Sequence, residues 1–143
     1  MRGTVMKQRR KSVLVVEDEV LIGEMVCAAL ADDGFDVHVS HDARDALRYL
    51  KSGKRVDVLF TDIDLPGGMD GGSLAREARE LRPGIPVVYV SGKANGVRHT
   101  ATVPGSIFLQ KPYDPAQASF LLAQLSEPED GEREGERRSR AAS

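Results

Sequence analysis

Five short runs with the composition of β-strands punctuate the chain: SVLVV (12–16), FDVHVS (35–40), VDVLFT (56–61), PVVYVS (86–91) and SIFLQ (106–110). Helical patterns lie between them. That alternation marks βαβ units and commits the chain to an α/β fold around a parallel sheet. FDVHVS alternates apolar and polar residues and belongs nearer a sheet edge. Residues 19–31 place Ile22, Val26, Ala29 and Leu30 at helical spacing. Asp42 is placed to cap ARDALRYLKSG, which stops at Gly53, and SLAREARELR is closed by Pro83-Gly84. DPAQASFLLAQL opens with Asp114 as cap and Pro115 at the first helical position. Residues 93–106, KANGVRHTATVPGS, sit where a fourth helix belongs. Gly96, Pro104 and several β-branched residues make a short or irregular helix the expectation there.

A length of 143 residues suits one domain with a real core. Residues 1–12 carry five basic side chains and no acid, and read as a solvated N-terminal tail. Residues 126–143 contain no large apolar side chain and read as a disordered charged tail, leaving 13–125 as the folded unit. The stretch between the tails is net acidic, which argues against a nucleic-acid-binding face. No apolar run reaches the roughly 20 residues a membrane helix needs, and the basic start lacks a signal peptide's apolar region. The single Cys27 cannot form an internal disulfide. A cytoplasmic protein with no membrane partner is the expectation.

The functional signal lies at the strand ends. In an open parallel sheet, ligands bind beyond the carboxyl ends of the strands. Glu17 and Asp18 follow the first strand, Asp62 the third, Ser91 ends the fourth, and Lys111 follows the fifth. Three carboxylates gathered at one rim repel each other and raise each other's pKa. A hard divalent cation removes the conflict, and oxygen ligands with open water positions suit Mg²⁺. The amine and hydroxyl remain for an anion. The set describes a phosphoryl-transfer site with a carboxylate nucleophile.

In their order and spacing, VLVVEDE, TDIDLPGGMDG, YVSGK and FLQKPYDP resemble the receiver domain of two-component response regulators, over residues 13–125. The resemblance implies a doubly wound, flavodoxin-like five-stranded parallel sheet in the order 2-1-3-4-5. It implies a signalling module that catalyses only its own phosphorylation and dephosphorylation, with Asp62 accepting phosphate from a phosphohistidine. Asp18 and Asp62 would bind Mg²⁺ directly, Glu17 mainly through water, and Asp64 through its backbone carbonyl. Lys111 would pair with a phosphoryl oxygen, the Ser91 hydroxyl would swing in to bond another, and Phe108 would turn inward as Ser91 moves. Phe108 lacks the phenol often found there, which leaves packing rather than hydrogen bonding for that part of the switch. The implied Lys111-Pro112 peptide is cis. The loop PGGMDG is one residue longer than is usual in the family. Asp64 and Lys93 occupy positions that flank the phosphoryl group and are expected to pair across the opening.

The first helix carries a second apolar stripe, Leu21, Met25 and Ala28, away from the core-facing one. With Pro112 and Tyr113 beside the acid rim, it is where receivers dock a histidine kinase or histidine phosphotransfer protein. The expectation is a stand-alone receiver, a monomer or weak dimer, whose downstream target is unspecified. Two other readings match parts of the pattern. DIDLP resembles the nucleophile motif of haloacid-dehalogenase-type phosphatases, although that family puts the motif on its first strand. A receiver-like binding module that is never phosphorylated is the other.

Overall fold

A computed structural model of the chain describes residues 10–92 and 102–125. They form β1 (Ser12–Val16), α1 (Val20–Asp32), β2 (Asp36–Ser40), α2 (Ala43–Lys51), β3 (Val58–Asp62), α3 (Gly71–Leu81), β4 (Val87–Ser91), β5 (Ile107–Gln110) and α4 (Pro115–Leu125). The strands make one sheet in the order β2-β1-β3-β4-β5, every pairing parallel. The expected α/β class and strand order are what the chain adopts.

Side chains alternate across a strand, so each strand feeds two cores. Leu14, Val16, Leu59 and Tyr89 point to one face, where Leu47 and Leu50 of α2 and Leu74 and Ala78 of α3 cover them. Val13, Val15, Phe60 and Val88 point to the other, against Val26 and Leu30 of α1 and Ala118 and Leu122 of α4. With both faces covered, β3 and β4 are buried along their whole length, and this is why they read as continuous apolar runs. Truncating Leu59 to alanine in such a core costs about 2–5 kcal/mol.

The caps read from the sequence form. The Asp42 carboxylate accepts a hydrogen bond from the Asp45 N–H at 2.8 Å, and Gly53 follows α2 with φ of 87°. Asp114 accepts from the Ala116 N–H at 3.0 Å.

Two elements start two residues away from their expected positions, the others within one. β3 starts at Val58 rather than Val56. Val56 is buried in the connection, while the Asp57 carboxylate accepts from the Ser12 N–H at 2.8 Å and pairs with Arg55, tying that connection to the start of β1. α3 starts at Gly71, two residues before SLAREARELR. Its cap is Asp70, whose carboxylate accepts from the Ser73 N–H at 2.9 Å.

The fourth helix expected at 93–106 falls largely outside the described residues; residues 102–106 make a turn before β5. Most of the basic N-terminal tail, Lys93, and the charged tail after Leu125 also lie outside the described residues. Among the described residues no helix is long and apolar enough to cross a membrane.

Candidate functional site

The sheet delivers its polar residues to one end. β3 carries its apolar run through Thr61 and Asp62, with Asp62 opposite Val90 of β4, so the carboxylate stands on a fully paired central strand. Beside it, the chain leaving β1 presents Glu17 and Asp18. One carboxylate oxygen from each of Glu17, Asp18 and Asp62 lies within 4.8 Å of the others. Asp62 is 6 % exposed and Glu17 5 %, whereas Asp18 faces solvent.

Lys111, one residue past β5, reaches across this cluster. Its Nζ donates to Asp62 Oδ2 at 3.0 Å and to Glu17 Oε1 at 3.3 Å. The second Glu17 oxygen, Oε2, accepts from the Glu19 N–H at 3.1 Å. Both oxygens of Glu17 are therefore held. Asp62 is raised from its ordinary 3.8 to about 6: burial lifts it, Lys111 pulls it down by hydrogen bond and charge, and Glu17 and Asp18 add repulsion. Burial works against the Lys111 charge too, but its bonds and attraction to Asp62 and Glu17 hold its pKa above the lysine value.

Three carboxylates facing one ammonium leave two negative charges uncompensated within the cluster. Hard oxygen donors gathered this closely, with more negative than positive charge among them, are the donor set a hard divalent cation such as Mg²⁺ takes, so the residues present fit such an ion.

The backbone around Asp62 is fixed. The buried Thr61 hydroxyl donates to the Asp62 carbonyl at 2.9 Å, and the Ile63 N–H donates to Val90 O at 2.9 Å. The first turn of α3 closes on the same segment, with the Gly71 N–H donating to Ile63 O at 2.8 Å. A Cβ on Gly71 would overlap the Asp62 carbonyl oxygen and lie 2.9 Å from Ile63 Cα. Glycine is required there by that approach, a role the sequence reading missed; only its place soon after Asp62 hinted at it. Gly67 and Gly68 both take positive φ in the intervening loop, near 90°.

The remaining expected residues fall around this centre. Ser91 ends β4, buried, and its carbonyl accepts the Lys111 N–H at 2.9 Å. Phe108 is half-buried on β5, its ring centroid 5.2 Å from that of Tyr89, whose hydroxyl accepts from the Val103 N–H at 3.1 Å. Asp64 is exposed two residues past the acid of β3. Lys111-Pro112 is cis. Tyr113 packs edge-on against Phe60 at 5.8 Å, and its phenol is pushed up to about 12 by burial first and by the Glu17 charge next. Leu21 is 76 % exposed and Met25 67 %, with Ala28 and Pro112 also exposed. His41, after β2, bonds to the Glu17 backbone and was not singled out from the sequence.

The family model for the response regulator receiver domain matches residues 13–121. Among curated proteins, the chain is 37 % identical over 119 residues to the transcriptional regulatory protein DltR of Streptococcus agalactiae, covering 79 % of this chain and 49 % of that one. It is 32 % identical over 123 residues to the sensor kinase CckA of Brucella abortus, covering 83 % of this chain and 13 % of the kinase. The chain thus spans half or less of these relatives' lengths. A response regulator receiver protein from Sinorhizobium medicae superposes with a TM-score of 0.77 at 36 % identity, covering 82 % of this chain and 95 % of the other. The receiver domain of the sensor histidine kinase PA1611 from Pseudomonas aeruginosa, solved with a magnesium ion coordinated in its active-site cleft, superposes with a TM-score of 0.73. It is 25 % identical, with 82 % of this chain and 98 % of that one covered.

Proposed function

The chain belongs to the response regulator receiver domain family, the signalling modules of two-component phosphorelays, and we propose that Asp62 is its phosphoacceptor. One observation carries this reading: three carboxylates meet within 4.8 Å at the end of the sheet while Lys111 spans Asp62 and Glu17. Asp18 and Asp62 would hold Mg²⁺ directly, Glu17 through water, and Asp64 through its backbone carbonyl. When bound, the ion supplies charge neutralisation for the carboxylates and for the incoming phosphoryl oxygens.

The chain's own residues account for the rest. An Asp62 carboxylate oxygen attacks phosphorus, an O–P bond forms, and the N–P bond of a phosphohistidine breaks, its electron pair leaving with the imidazole. Lys111 already touches Asp62 and would meet a phosphoryl oxygen. Ser91, at the end of the neighbouring strand, would donate its hydroxyl to another, and Phe108 would repack beside Tyr89 as it does so. The exposed Leu21, Met25 and Ala28, with Pro112 and Tyr113 near the acids, form the face offered to a histidine kinase or histidine phosphotransfer protein. The protein's catalytic part is limited to gaining and losing its own phosphoryl group.

Incubation with acetyl phosphate or phosphoramidate and Mg²⁺ tests the assignment. The intact protein should gain the mass of one phosphoryl group, the gain should vanish in Asp62→Asn, and chelation should prevent it. A folded, metal-bound wild type that gains nothing would instead support the binding-module reading.

A further inference from the structure

The peptide unit joining Glu17 to Asp18 is gripped from the side by the chain leaving β2. The Glu17 N–H donates to Ser40 O at 3.0 Å, continuing the β1–β2 ladder. One residue later, His41 Nδ1 lies 2.8 Å from the Glu17 carbonyl oxygen. A carbonyl only accepts, so Nδ1 carries the proton. Consecutive residues thus hold the two backbone polar groups of Glu17.

The carbonyl of Glu17 and the N–H of Asp18 belong to the same planar peptide. A bond that fixes the carbonyl direction therefore fixes the Asp18 N–H and the path on which the Asp18 side chain leaves. That matters because Asp18 is the exposed member of the carboxylate cluster and so has the fewest packing constraints. Glu17 has Lys111 and the Glu19 N–H to hold its carboxylate. Asp62 sits on a paired strand.

The imidazole is itself lodged. A Cβ added to Gly23, in the first turn of α1, would lie 3.5 Å from His41 Cε1, 3.1 Å from Val39 and 3.7 Å from Glu17 Cβ. The tight approach is to Val39, and the ring lies within ordinary contact distance beneath the first turn of α1. On the far side the Asp42 cap fixes the start of α2 immediately after His41.

We propose that His41 is a positioning residue that sets the plane of the Glu17–Asp18 peptide and so aims the Asp18 carboxylate at the metal site. The inference rests on the magnesium reading above and adds to it a residue outside the carboxylate set. Groups that orient metal ligands from behind typically contribute about 10–100-fold to metal affinity.

Two measurements on the full chain test it. Calorimetric Mg²⁺ titration should give a dissociation constant raised about 10-fold in His41→Ala. His41→Asn should stay within about twofold of wild type, because asparagine Nδ2 is separated from Cβ by the same bonds as histidine Nδ1. In metal-free protein, the Asp18 amide resonance should shift in His41→Ala and return towards wild type in His41→Asn. If His41→Ala does not fold, His41→Met fills the space under α1 without a donor and takes its place. Wild-type affinity in the donor-free variant, or an asparagine variant no better than alanine, overturns the proposal. If wild type takes up no Mg²⁺, the metal reading fails and the Asp18 amide comparison alone decides the role of His41.

Discussion

Replacing Asp62 with asparagine should stabilise the metal-free protein near neutral pH, although it discharges an ion pair. The folded carboxyl titrates at about 6 against an ordinary 3.8 because burial outweighs the help from Lys111. Folded Asp62 therefore holds its proton more tightly than unfolded Asp62 does. Between the two pKa values the folded state binds more protons, and this group's contribution to stability falls as pH rises. At about 1.4 kcal/mol per pKa unit, the penalty levels off near about 3 kcal/mol above pH 6 and shrinks below about 1 kcal/mol by pH 4. Asparagine keeps an oxygen for Lys111 to bond, and Lys111 keeps Glu17 at 3.3 Å. The shift is already net of the attraction to Lys111, so no further loss is subtracted for the charged hydrogen bond. The gain is about 3 kcal/mol, or about 10 °C in melting temperature for a domain of this size. Melting curves with a chelator from pH 4 to pH 8 measure it. The advantage of Asp62→Asn should be largest above pH 6 and fade towards pH 4, while Mg²⁺ should stabilise wild type alone and close the gap. An asparagine variant less stable than wild type at pH 7, or a difference that ignores pH, would refute the balance of burial and attraction assigned to this carboxyl.

Other substitutions probe the neighbouring parts. Lys111→Met removes both influences that lower Asp62, so the Asp62 carboxyl should titrate above the about 6 of the intact site; a carbon-detected titration giving an equal or lower value contradicts this. Gly71→Ala places a methyl against the Asp62 carbonyl and Ile63 Cα. It should cost about 2–4 kcal/mol in urea unfolding and reduce phosphoryl acceptance with it, and a loss under about 0.5 kcal/mol would show that α3 can back away freely. The double change Leu21→Glu, Met25→Glu should slow transfer from a histidine phosphotransfer protein at least about 10-fold more than labelling by acetyl phosphate. Equal slowing of the two would remove that face from the docking surface.

What could be read from the sequence divides along the range of the interactions responsible. Strand cores, the Asp42 and Asp114 caps and the Gly53 stop depend on neighbours within a few residues, and they appear where the residues call for them. Asp62, Glu17, Asp18 and Lys111 could be gathered in advance because strand ends of a parallel sheet share one rim. The start of α3 was misplaced because glycines after Asp62 read as loop. Packing of Gly71 against the Asp62 backbone, a contact made only once α3 docks, is what admits them to the helix. His41 escaped for the same kind of reason. Its partner is a carbonyl 24 residues upstream, and a lone histidine beside a cap carries no pattern.

The division of labour within the site follows from what each group is bonded to. Asp62 is constrained through its backbone by Thr61, by the Ile63–Val90 bond and by the close approach of Gly71, so the proposed acceptor itself has little room to adjust. Adjustment must come from its surroundings. Asp18 is exposed and reaches the cluster from a loop. The Lys111 ammonium has three donors and gives one each to Asp62 and Glu17, which leaves a third for the phosphoryl oxygen of the proposed reaction without surrendering either acid. Arginine would keep the charge but spread it over a planar fork that cannot reproduce three divergent bonds from one atom. A carboxylate fixed through its backbone, an exposed acid aimed from a loop and a compact cation with a donor in reserve let the site change its bonding while the sheet beneath it stays fixed.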